Sequence, residues 1–161
     1  MDKTITVPHS FSYAISAKVK DYFILVKFTL SFLVTFSSVV CYLLAPNITY
    51  NFLSITILFI AGMCITGAAN AINQAVERKT DALMKRTAGR PVAAGRMSVK
   101  EAYTFAFIVA AIGVFLMWYW FNFESALLSL FSLFLYAFIY TPLKRVNSIS
   151  VIVGAFPGAL P

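Results

Sequence analysis

The chain has 161 residues, of which 60% are hydrophobic and 12% charged, and its formal net charge is +7. A soluble domain carries about a quarter charged residues, so this composition excludes an ordinary soluble protein and indicates a membrane protein. The basic excess does not indicate nucleic acid, because the sequence has neither an aromatic RNA-binding pattern nor a basic groove-reading helix.

The apolar runs predict an all-α, polytopic membrane helical bundle. Each complete run is long enough to cross about 30 Å of hydrocarbon. We predict four spans, the start of a fifth and one basic loop (77–100), the spans covering residues 23–45, 52–76, 101–121, 124–141 and 149–161.

Lys27 lies within the first turns of the first predicted span. Its side chain could extend to the lipid headgroups, or it could face a cytoplasmic cavity. We favour the headgroup interpretation.

Two local patterns predict packing and a helix start. Small residues between 62 and 69 predict a surface that a neighbouring helix can approach closely. Ser98, with Glu101 three residues later, predicts a capped N-terminus for the third span.

The positions of the basic residues predict the orientation. All 13 Lys and Arg lie before residue 28, within 78–100, or at 144–145. Cytoplasmic loops of membrane proteins carry the excess of Lys and Arg. We therefore predict that the N-terminus and both basic loops are cytoplasmic, where their side chains can converge on one ligand.

Three polar side chains at the end of the second span share a helical face. Asn73, Glu77 and Asp81 are four residues apart, so they stack on one side of a helix. Two carboxylates and an amide offer oxygen ligands, which suit Mg²⁺. Arg86 and Arg90 follow, and arginine suits bidentate contacts to phosphate.

Spacing alone leaves a second interpretation open. Glu77 and Asp81 could simply pair with Arg78, Lys85 or Arg86 at a solvated helix end.

A wider pattern resembles a known family. The run from Asn73 through Glu77 and Asp81 to Arg90-Pro91 resembles the first aspartate-rich motif of the UbiA superfamily of intramembrane prenyltransferases. The sequences YTPLKR at 140–145 and GAFPGALP at 154–161 resemble the next loop and helix in its heme-farnesylating members.

The resemblance implies a reaction and a cofactor. It implies transfer of a farnesyl group from farnesyl diphosphate to a vinyl group of heme B, giving heme O, at the cytoplasmic face of the cell inner membrane with Mg²⁺. The partners would be heme A synthase or a terminal oxidase assembly, and the protein would be embedded in the lipid bilayer. The alternatives are a related enzyme acting on an aromatic quinone precursor, and a non-catalytic membrane subunit or transporter.

The resemblance also implies roles for residues. Glu77 and Asp81 would be catalytic, and together with Asn73 they would hold the metal. The diphosphate would be bound by Asn73, Arg86, Arg90, Lys144 and Arg145.

The chain departs from the family pattern at three points. Glu77 stands where many members have Asp, and Lys27-Phe28-Thr29 lacks the arginine of the family's Lys-Pro-Arg start. The family has about nine spans and a second acidic motif, against about four and a half spans here. Residues 1–161 are therefore expected to be the N-terminal half of the prenyltransferase membrane domain and to be inactive alone.

Overall fold

The structure is a computed structural model that describes residues 11–46 and 51–144. All regular secondary structure in these ranges is helical, which confirms the predicted all-α class. The elements are α1 (Phe11–Leu25), α2 (Phe28–Leu44), α3 (Phe52–Leu83), α4 (Val99–Trp120), α5 (Phe123–Phe134), a π-helical turn (Leu135–Tyr140) and α6 (Thr141–Leu143). Arg145 and the predicted fifth segment at 149–161 lie outside the described residues.

Several helices are suited to crossing a membrane. Phe52–Leu83, Val99–Trp120 and Phe123–Tyr140 are each long and apolar enough, and Ile15–Leu25 with Phe28–Leu44 adds a fourth if this bent pair counts as one span. The protein is therefore a multi-pass membrane protein.

The central element is α3, which contacts α1, α2, α4 and α5. Its 32 residues extend to Leu83, beyond the end predicted at 76. At 1.5 Å per residue this is about 48 Å, longer than a bilayer core of about 30 Å. The second half of the acidic motif thus lies on a continuing helix rather than in a loop.

The first predicted span, 23–45, is not one straight helix. It is interrupted at Val26 and Lys27, where α1 and α2 meet at an angle of 51°. Lys27 has φ of 48° and ψ of 59°, the left-handed region, which cannot continue a right-handed helix.

Small residues let the helices pack closely, as predicted. An ideal Cβ at Gly62 of α3 would lie 2.8 Å from Thr35 Cγ2 of α2, and one at Gly113 of α4 would lie 3.0 Å from the Ala61 carbonyl oxygen of α3. In lipid, such close contact is a main source of helix association, because apolar burial gives little gain there.

Candidate functional site

A polar cleft of about 510 Å³ lies at the C-terminal end of α3. Its walls come from the α1–α2 break, the last turns of α3, the loop after it and the π-helical turn. It therefore joins three regions that are far apart in the sequence.

The predicted acidic face lines this cleft. Asn73, Glu77 and Asp81 are 2%, 7% and 2% exposed, so these polar groups are enclosed by protein although they lie near the end of a long helix. Buried charges need partners, since burying an unpaired charge is costly.

Each of the three oxygen-bearing side chains faces a cation. Asp81 Oδ2 is 2.7 Å from Arg90 Nη1, and Glu77 Oε1 is 3.5 Å from Lys144 Nζ.

Lys27 Nζ donates to Asn73 Oδ1 at 3.4 Å. The two carboxylates are thus neutralised by Lys144 and Arg90, and not by the Arg78, Lys85 or Arg86 that the alternative named.

The loop after α3 places Arg90. The Thr87 hydroxyl donates to the Asp81 carbonyl at 3.0 Å, and the Arg90 amide donates to the Thr87 carbonyl at 3.0 Å. These bonds turn the chain back over the end of α3, so Arg90 meets Asp81 nine residues earlier. Arg86 lines the same cleft from an exposed position.

Lys27 belongs to this cleft, contrary to our preferred interpretation that it extends to the headgroups. The signal was its position within the first turns of the predicted span. What spacing could not show is the helix break, which turns this side chain towards Asn73.

The π-helical turn forms the opposite wall, with Tyr136 and Tyr140 lining the cleft. The Thr141 hydroxyl donates to the Tyr136 carbonyl at 2.8 Å and accepts from Asn73 Nδ2 at 3.4 Å. A π-helical turn is rare and often lies at a functional site. Here it links the fourth predicted span directly to the acidic face.

A second set of contacts fixes α1 beside the cleft. Arg96 donates from Nη2 and Nε to Asp21 Oδ1 at 2.9 and 3.0 Å, and this carboxylate raises the pKa of the Arg96 guanidinium. Glu101 accepts from the Tyr22 hydroxyl at 2.8 Å and pairs with Lys18 at 2.7 Å. The spacing of these residues in the sequence gave no sign of these pairs.

An apolar groove of about 330 Å³ lies between α2, α3, α4 and α5. It includes Thr66 of α3, about two turns or roughly 10 Å before Asn73 along the helix, and Gly62, one turn earlier. The charged cleft and the apolar groove thus follow one another along α3.

The donor set of the cleft fits Mg²⁺. Within 11–46 and 51–144 no group of three or more His, Cys, Asp or Glu forms a metal cage. Mg²⁺ does not need one, because it binds through one or two carboxylates, substrate phosphates and water. Glu77 and Asp81, beside the Asn73 amide, provide such a partial set of oxygens.

Comparison with known proteins identifies the family of the chain. Residues 32–161 match the model of the UbiA prenyltransferase family. The chain belongs to the UbiA prenyltransferase family. No solved structure gives a significant match.

Its relatives within the UbiA family include curated proteins from diverse organisms. Proteins named protoheme IX farnesyltransferase match at 47% identity over 88% of the chain in Flavobacterium johnsoniae and at 42% over 91% in Cytophaga hutchinsonii. A mitochondrial protein of that name from Debaryomyces hansenii is 38% identical over 89% of the chain. The chain covers 47%, 51% and 31% of these relatives, about half the length of the first two.

Proposed function

We propose that this chain forms the diphosphate site of an intramembrane prenyltransferase that transfers farnesyl from farnesyl diphosphate to a vinyl group of heme B. The observation that carries the proposal is the buried acidic face of α3, on which each oxygen donor is paired with a cation. The names of the UbiA-family relatives support farnesyl as the donor and protoheme as the acceptor.

In this proposal the acidic face holds the metal. Asn73, Glu77 and Asp81 would bind Mg²⁺, which would supply positive charge to the departing diphosphate. Glu77 and Asp81 would be the catalytic residues in this sense, since they would hold the ion that neutralises the leaving group.

The surrounding cations would bind the diphosphate. In the structure, Arg90 and Lys144 neutralise carboxylates. When those carboxylates bind the metal, the two cations would be free to bind phosphate oxygens instead. Arg86 is exposed at the rim and would contact the same anion, as would Lys27 from the α1–α2 break. Arg145 remains a predicted member of this set.

The apolar groove would receive the prenyl chain. Ionisation would break the allylic C–O bond and release diphosphate, and the vinyl electrons of heme B would form the new C–C bond. Water would then add to the resulting cation and lose a proton to the solvent, giving heme O. No strong protein nucleophile is required. The walls of the bundle instead keep water from the allylic cation.

The orientation of the protein is part of the proposal. The clustering of Lys27, Arg90 and Lys144 at one end of the bundle supports a cytoplasmic cleft in a cell inner membrane. Heme A synthase or a terminal oxidase assembly would then take up the heme O.

An activity assay tests the proposal. The complete gene product that contains this chain is reconstituted in lipid nanodiscs with farnesyl diphosphate, Mg²⁺ and either heme B or an aromatic acid. We expect heme O and released diphosphate with heme B, and neither product when EDTA replaces Mg²⁺. Prenylation of the aromatic acid alone would favour the quinone-precursor enzyme, and no diphosphate release with either acceptor would favour a non-catalytic membrane protein.

A further inference from the structure

Two more amide side chains of α3 are buried but lie outside the lining of the cleft. Asn70 and Gln74 are 4% and 1% exposed. Gln74 Nε2 donates to the carbonyls of Ile24 at 2.8 Å and Leu25 at 3.0 Å, while Asn70 Nδ2 donates to the carbonyl of Val26 at 3.2 Å. Both amides therefore bind the backbone where α1 ends.

The break between α1 and α2 creates the need for these donors. The last carbonyls of a helix have no partner within it, and in an apolar bundle water does not replace that partner. Ser31 assists, because its hydroxyl donates to the Val26 carbonyl at 2.7 Å and accepts from Asn70 at 3.1 Å. Three consecutive carbonyls of the break thus accept from side chains of α2 and α3, and the Ile24 carbonyl also accepts from the Lys27 amide at 3.2 Å.

The residue placed by this break is Lys27. It is the one non-glycine residue with positive φ in the described part of the chain, a conformation that is strained for a side chain with a Cβ. Strain of this kind persists only where surrounding contacts impose it. The result is that the Lys27 ammonium reaches Asn73 Oδ1, inside the cleft.

We propose that Asn70 and Gln74 are positioning residues that maintain the α1–α2 break and thereby hold Lys27 where it binds the diphosphate of the prenyl donor. The inference rests on the proposed function and adds to it the two residues that hold the Lys27 contact in place. Lys27 touches the ligand, and the two amides act through Lys27.

Binding measurements test the Lys27 contact. The complete gene product in nanodiscs is titrated with farnesyl diphosphate and Mg²⁺, without heme. We expect Lys27→Met to raise Kd about tenfold or more, since a charge-assisted hydrogen bond is lost, and Lys27→Arg to retain most of the affinity. Thr56→Val is the control on α3, because the Thr56 hydroxyl bonds only one turn back, to the Phe52 carbonyl.

A double substitution tests whether the amides act through Lys27. Gln74→Leu alone should raise the Kd for farnesyl diphosphate several-fold. In a protein that already carries Lys27→Met, the same change should raise Kd by less than a further factor of about two, because the effects of residues that act through one contact are not additive. Asn70→Ser is the milder second variant, and thermal unfolding of each protein checks that it is folded.

The possible failures are distinguishable. Full additivity of the Gln74 and Lys27 changes, or wild-type affinity in Lys27→Met, would overturn the inference while leaving the proposed function intact. If the unaltered protein shows no Mg²⁺-dependent binding of farnesyl diphosphate, the proposed function itself fails and the inference fails with it.

Discussion

At the scale of single residues, Asp81 is the most informative position in the cleft. It is 2% exposed and ion-paired with Arg90, so its charge is buried and specifically compensated. We predict that Asp81→Asn in the complete gene product reduces heme O formation at least about 100-fold, since an amide keeps the volume but removes a charged ligand. Glu77→Asp should be milder, because a carboxylate remains.

The control for this prediction is Glu124→Gln, which makes the same chemical change at an exposed acid in the first turn of α5. It should leave turnover unchanged. Near-normal turnover of Asp81→Asn at low Mg²⁺ would show that the acidic face has no metal role.

Residue spacing predicted part of this site and could not predict the rest. The four-residue steps from Asn73 to Asp81 fix a common helical face, whatever the tertiary structure. The partners Lys27 and Lys144 come from other helices, and no local pattern encodes their distance to Asn73 and Glu77.

At the scale of elements, the position of α1 depends on contacts to the loop and to α4. The Arg96–Asp21 pair is partly exposed, so it contributes modestly and is screened by salt. We predict that Arg96→Gln speeds amide hydrogen exchange across α1 by about two- to fivefold at low salt. The difference should shrink in 1 M salt, and an equal effect at both salt concentrations would contradict an ionic contribution.

The contact between α3 and α4 gives a second prediction for an element. An added Cβ at Gly113 would lie 2.8 Å from Ile65 Cγ1 and 3.0 Å from the Ala61 carbonyl oxygen. We predict that Gly113→Ala lowers the free energy of unfolding by about 1 kcal/mol, because overpacking outweighs the better helix propensity of alanine.

Thermal unfolding in detergent measures this change, with Gly89→Ala as the matched control. An added Cβ at Gly89 would have no heavy atom within 4 Å. A higher Tm for Gly113→Ala than for the unaltered protein would mean that α3 and α4 can separate without cost.

The elements themselves were predictable to different degrees. Long apolar runs gave α3 and α4, and Ser98 caps α4 as expected, its hydroxyl accepting from the Glu101 amide at 3.1 Å. The α1–α2 break could not be predicted, because residues 24–29 contain no Gly or Pro and the two amide side chains that donate to the break lie more than 40 residues away.

At the scale of the whole molecule, the ion pairs of the cleft would couple the two ligands of the proposed function. Mg²⁺ would compete with Arg90 and Lys144 for the carboxylates, and diphosphate would compete with the carboxylates for the same cations. Each ligand would therefore release groups that the other needs. Such coupling is reciprocal between the two sites.

We predict that Mg²⁺ lowers the Kd for inorganic pyrophosphate at least about tenfold, and that pyrophosphate lowers the Kd for Mg²⁺ by the same factor. Calorimetric titrations in both orders, corrected for the complex that the two ligands form in solution, measure this. In Asp81→Asn the coupling should fall. Independent binding of the two ligands would contradict the exchange of ion partners.

The α1–α2 break also has a consequence for how the protein is made. Besides Ser31, the side chains that donate to its carbonyls are Asn70 and Gln74, which leave the ribosome more than 40 residues after Ile24 and Val26. Until α3 enters the bilayer, only an unbroken helix lets the backbone N–H and C=O groups of this segment hydrogen-bond to one another. We therefore expect the nascent N-terminal segment to insert straight and to bend only when α3 docks, so that the cleft is assembled late in biogenesis.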